Sequence, residues 1–139
     1  MKRRFFTLIF IILAVMLTAE GLTGNAVAIK ESYPEGYEVI KERAIQEWGT
    51  DHAMVLYEIN KQCDSVLNVL GLAIAETGDL SVFMGAVEDW SASGTVLSNL
   101  EKLNSWLNGE DFYIIFTMRC DWAMVEYEYN KQMESAGAY

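Results

Sequence analysis

The only histidine of the chain, His52, follows directly on Asp51, a carboxylate that could orient an imidazole. A helical bundle that carries haem needs an axial pair of ligands, which His52 and one of the seven methionines could supply. The sequence lacks the CxxCH that attaches haem covalently and the Glu-x-x-His of di-iron bundles. A haem or metal carrier using His52 is therefore one alternative, and a partly buried structural histidine is the other.

The two cysteines, Cys63 and Cys120, leave two alternatives open. A disulfide between them would close a loop of 57 residues and stabilise the fold by about 4 kcal/mol in the chain-entropy model. Lone cysteines in a helical chain are also often small buried apolar residues. Because the sequence has no CxxC and no Cys/His cluster, it does not indicate redox or zinc chemistry.

Signatures of catalysis are missing from the chain. The paired carboxylates Glu88-Asp89 and Glu110-Asp111 lie beside predicted helix ends, where we interpret them as solvated. The sequence contains neither a Gly-rich phosphate loop nor a Gly-x-Ser-x-Gly elbow. We therefore predict that the protein is not an enzyme and uses no metal and no cofactor.

A fifteen-residue word occurs twice, at residues 51–65 and 121–135, with ten identical positions. An apolar stripe at helical spacing runs through each copy, and its members differ almost everywhere: His52 is replaced by Trp122, and Ile59 by Tyr129. The identical residues mostly lie on the opposite side of the helix, because successive residues turn by about 100°. The word therefore predicts a duplicated helix in which the side opposite the apolar stripe has the same residues in both copies.

Four of these identical residues in each copy are candidates for contact with another surface, and we call them the repeated face. They are Met54, Tyr57, Asn60 and Lys61 in one copy and Met124, Tyr127, Asn130 and Lys131 in the other. The repeated face either packs inside the domain or forms a binding surface presented twice. We expect packing, with the two word helices adjacent and with Tyr57 and Tyr127 more than half buried.

The first copy resembles a helical stretch found in assorted uncharacterised bacterial proteins. The resemblance rests on residues at fixed steps: Trp48, Asp51, His52, Met54, Tyr57 and Gln62. The family pattern has an aromatic residue where this chain has His52, and Met118 replaces the tryptophan in the second copy. The resemblance covers about 20 residues per copy and implies a helix without implying an activity.

Helix signals recur along the chain. Ser32 and Glu35 predict a capping box that opens a helix near Pro34, and Gly49 predicts either a kink or two abutting helices. A short helix is expected to end near Trp90, another covers residues 96–107, and apolar residues 112–118 are expected to run into the second word as one buried helix. These elements predict an all-α bundle of four or five helices.

The first 28 residues resemble an export signal: a basic start, an apolar run over residues 5–17, and Ala26-Val27-Ala28 as a cleavage site. We predict a single domain over residues 29–139, exported to the periplasm or the medium, or held by an uncleaved anchor. After cleavage the domain is not expected to insert into a membrane.

A formal net charge of −10 argues against binding to nucleic acid, because the acidic protein surface and the phosphate backbone would repel each other. The expected function is a non-catalytic interaction or binding module, monomeric or dimeric, with a protein partner.

Overall fold

The computed structural model describes residues 21–92, 115 and 118–138. These residues form helices α1 (Gly24–Ser32), α2 (Pro34–Trp48), α3 (His52–Ile74), α4 (Leu80–Trp90) and α5 (Trp122–Ala136). The same residues contain no β-strand, only an antiparallel bridge between Ser91 and Cys120. The predicted all-α bundle is thus confirmed, whereas the predicted helix over residues 96–107 lies outside the described residues.

Helix α3 is the centre of the bundle, because it packs against each of the other four helices. The predicted stripe of the first word forms its main buried side: Val55, Ile59, Cys63, Val66 and Leu70. Helix α5, which carries the second word, packs against both α3 and α4. The two word helices are therefore adjacent, as predicted.

Both word helices begin with the same cap. The Asp51 carboxylate accepts a hydrogen bond from the Met54 backbone N–H at 3.1 Å, and Asp121 does the same for Met124 at 3.3 Å. A side-chain cap of this kind stabilises a helix by about 1 kcal/mol. Gly49, with a φ of 58°, ends α2 before Asp51 starts α3, so the predicted interruption is realised as two abutting helices.

The predicted capping box at Ser32 is wrong. Ser32 is the last residue of α1, and Tyr33 occupies the cap position of α2 without a side-chain cap hydrogen bond. Pro34 still opens α2, because its missing N–H is not needed in the first turn. Helix α1 spans the predicted leader boundary at residue 28, and its residues Ala26, Ala28 and Ile29 are buried.

The second word does not continue from a preceding helix, which corrects another prediction. Residues 118–121 are not helical, because their backbone groups pair with the end of α4. The Ala92 N–H donates to the Arg119 carbonyl at 2.9 Å, and the Asp121 N–H donates to the Trp90 carbonyl at 3.0 Å. The start of α5 is therefore fixed against the end of α4.

In the part of the chain that the structure describes, none of the helices has both the length and the apolar character to cross a bilayer.

Candidate functional site

His52 is the first residue of α3 and is exposed, so the expectation of a partly buried histidine is wrong. Its counterpart Trp122 is fully buried. The difference arises because the start of α3 follows the exposed turn after α2, whereas the start of α5 packs onto α3. No group of three metal-binding side chains occurs among the described residues. The carrier alternative stays a prediction, which an absorbance scan of the purified protein tests.

Both cysteines are free thiols buried in the core, which is the second of the two alternatives that the sequence leaves open. Burial raises the pKa of Cys63 to about 12, and the same effect raises the pKa of Cys120 to about 12. Because the thiolate is the reactive form, these groups act as small apolar side chains.

The tyrosines of the repeated face are exposed in both copies. Tyr57 is 57% exposed and Tyr127 is 59% exposed, so the prediction that they are more than half buried is wrong. Each ring instead contacts the lysine one turn further along its helix, with Lys61 Nζ at 5.5 Å from the Tyr57 ring centre and Lys131 Nζ at 5.9 Å from that of Tyr127. An exposed tyrosine with a lysine beside its ring is thus presented twice.

Of the remaining residues of the repeated face, the asparagines differ between the copies and the methionines do not. Met54 and Met124 are half-buried. Asn60 accepts a hydrogen bond from the Thr23 N–H at 2.9 Å and donates to the Gly21 carbonyl at 2.9 Å, whereas Asn130 is exposed. Asn60 therefore holds the chain that enters α1, and Asn130 has no equivalent position. The exposed tyrosine rings have similar surroundings in both copies.

A buried polar network joins the first word to the start of the second. Gln62, which is 2% exposed, donates to Glu58 at 3.0 Å and to Asp121 at 2.9 Å. Its side-chain oxygen accepts the backbone N–H of Trp122. One amide thus satisfies three groups at the junction of α3 and α5, as buried polar groups require.

Two cations balance the two carboxylates of this network. Lys61 Nζ lies 2.7 Å from Glu58 Oε2, and Arg43 of α2 lies 3.3 Å from Asp121 Oδ2. A second Arg43 nitrogen is 3.9 Å from Glu58 Oε1. Since each charge has an opposite partner, the network can be buried without leaving an isolated charge.

Burial alone would disfavour ionisation of Asp121, yet the hydrogen bond from Gln62 and the charge of Arg43 lower its pKa. A folded-state pKa below the usual value of 3.8 means that ionised Asp121 stabilises the fold above that pH, and that this contribution is lost as the pH falls through the folded pKa.

We expect Asp121→Asn to lower the melting temperature most at neutral pH and progressively less in acid. A difference from the parent that does not change between neutral and acid pH would contradict this role.

In the second copy, the glutamate and the glutamine of the word line an open groove and do not form a buried network with the described residues. Glu128 and Gln132 correspond to Glu58 and Gln62, and they line a groove of about 230 Å³ between α4 and α5, together with Asp89. Glu128 accepts a hydrogen bond from the Trp90 indole N–H at 2.7 Å. Burial and the neighbouring Asp89 carboxyl raise the pKa of Glu128. The two copies thus place one pair of residue types in different surroundings.

Sequence reasoning missed the polar network. The sequence did contain a signal for it, because the glutamate and the glutamine of the network are identical in the two words. The contribution of Arg43 carries no such signal, since its position opposite Glu58 follows from the packing of α2 against α3. The network, which includes Lys61, belongs to the fold. The candidate functional site is the pair of exposed rings, Tyr57 and Tyr127, each with its neighbouring lysine.

Comparison of the chain with protein-family models, with curated proteins and with solved structures finds no match.

Proposed function

We propose that the protein is an exported, non-catalytic interaction module that presents its two Tyr–Lys pairs to a protein partner. The observation that carries this proposal is the exposure of Tyr57 and Tyr127 in both copies. Large exposed tyrosines are enriched at protein interfaces, because an aromatic ring buries much area with little loss of conformational freedom.

Stability of the isolated domain accounts for Lys61, which pairs with the buried Glu58, but it does not account for the two exposed tyrosines. An exposed cation–π contact is worth about 0.5–1 kcal/mol, and many residue pairs on a helix surface supply a similar gain. The stripes of the two words exchanged most of their residues while this pair stayed the same. Retention of both tyrosines therefore favours a role in contact with another molecule.

The charge of the chain restricts the class of partner. With a net charge of −10, the surface disfavours nucleic acid and anionic lipid. A protein that contacts the tyrosine rings fits the exposed face better, and we propose that the module acts as a monomer or a dimer.

Substitution of the tyrosines tests the proposal. We expect Tyr57→Ala and Tyr127→Ala each to lower the free energy of unfolding by about 1 kcal/mol or less, since both rings are exposed and each loses only a surface cation–π contact. Each substitution should weaken partner binding by about tenfold, as for a moderate interface hot spot, and the double variant should weaken it further. Thermal melts and quantitative affinity capture from the cell envelope and culture medium measure the two effects.

Leu72→Ala is the matched control for these variants. Leu72 is also exposed on α3 but lies outside the repeated face. Unchanged capture by the double tyrosine variant, or an equal loss with Leu72→Ala, would overturn the proposed role of the Tyr–Lys pairs.

A further inference from the structure

Helix α1 is an integral part of the folded domain. Ala26, Ala28 and Ile29 are each 0% exposed and belong to the same core cluster as the buried side of α3. The helix packs against both α2 and α3. The small residues that resemble a cleavage site therefore also have a structural explanation, because only small side chains allow two helices to approach closely at these positions.

Hydrogen bonds attach the start of α1 to α3. The Thr23 hydroxyl donates to Asp64 at 3.1 Å, and the Asn25 amide donates to the same carboxylate oxygen at 3.0 Å. Asn60 contacts the backbone on both sides, through the Thr23 N–H and the Gly21 carbonyl. These bonds join residues about 40 positions apart. The bonds of Thr23 and Asn25 form only when residues 23–25 remain in the chain, and the bond to the Gly21 carbonyl also needs Gly21.

A cut after Ala28 would remove these contacts together with the first half of α1, Gly24 to Ala28. The buried side chains of Ala26 and Ala28 would be lost from the core. The fold of this domain therefore uses residues that a mature chain beginning at Ile29 lacks.

Two other small residues follow the apolar run over residues 5–17. Ala19 and Gly21 each end a short segment of the type that export peptidases recognise, Leu17-Thr18-Ala19 and Ala19-Glu20-Gly21. We propose that the export peptidase hydrolyses the peptide bond after Ala19 or after Gly21, and that α1 stays in the mature protein. Water adds across this bond, which leaves a carboxylate on the leader and an α-ammonium group on the domain.

The N-terminus of the exported protein tests the position of the cut. The full chain is expressed from Met1 in a bacterium, and the protein recovered from the periplasm or the medium is characterised by intact mass and N-terminal sequencing. We expect a chain that begins at Glu20 or Leu22. A chain that begins at Ile29, or an exported chain that keeps Met1, overturns the proposal.

Two variants distinguish a cut after Ala19 or Gly21 from a cut after Ala28. The double substitution Ala19→Leu and Gly21→Leu removes the small residue before each proposed cut, and we expect the uncleaved chain to accumulate. Ala28→Val removes the small residue at the other region and should leave processing unchanged. Pulse labelling measures the length of the chain before any misfolded variant is degraded, and the opposite pattern of the two variants overturns the proposal.

This inference rests on the export part of the proposed function, and the two can fail separately. A mature chain that begins at Ile29 overturns the proposed cut after Ala19 or Gly21 and leaves the interaction role intact. A full-length chain that stays in the cytoplasm overturns both the export and the cut. Unchanged partner capture by the tyrosine variants affects the interaction role alone.

Discussion

Replacing Gln62 with alanine is expected to lower the free energy of unfolding by about 3–5 kcal/mol. The substitution removes the amide that bonds Glu58, Asp121 and the Trp122 N–H. Two carboxylates and a backbone donor would then lose a partner at the buried junction of α3 and α5. Urea denaturation followed by circular dichroism measures the loss.

Gln132→Ala is the control, because Gln132 occupies the same position of the second word and is exposed. We expect it to change the free energy of unfolding by less than about 0.5 kcal/mol. Equal losses for the two variants would show that the network around Gln62 does not hold the helices together.

Trp122→Ala is expected to have a similarly large effect, about 3–5 kcal/mol, because it removes the largest side chain that is fully buried among the described residues and leaves a cavity. The equivalent residue of the first word provides the comparison. His52 is exposed, so His52→Ala should cost less than about 0.5 kcal/mol. Melting temperatures of the two variants measure the contrast, and a large loss with His52→Ala would reveal a specific role for the histidine.

A conservative variant separates the packing of Trp122 from its polar group. The indole Nε1 of Trp122 is buried and has no hydrogen-bond partner among the described residues. Trp122→Phe keeps an aromatic ring and removes this donor, so we expect a loss well below that of the alanine variant, about 1.5 kcal/mol or less. Equal losses for phenylalanine and alanine would show that the indole N–H is bonded and stabilising.

Sequence patterns predicted the features that depend on local chemistry. Asp51 starts a helix because its carboxylate lies next to free backbone N–H groups, and Gly49 ends one because it tolerates a positive φ. The stripe of α3 was predictable for the same reason, since helical spacing places its residues on one side.

Features that depend on distant neighbours were not predictable. The apolar residues 112–118 were expected to continue as a helix into the second word, but the pairing of residues 118–121 with the end of α4 is set by the tertiary fold. The exposure of Tyr57 likewise depends on which helix covers each side of α3. A pattern identifies the two sides of a helix, and the arrangement of its neighbours decides which side is covered.

The two words began as interchangeable copies if they arose by duplication, yet the fold has removed that equivalence. Placing a histidine at position 122 would remove the tryptophan that fills the core, whereas placing a tryptophan at position 52 would only add a side chain to the surface. Substitutions at Gln62 are restricted by the groups it bonds, and substitutions at Gln132 meet no such restriction within the described part of the domain. The copies are therefore expected to drift at different rates, with Tyr and Lys as the pair that both continue to share.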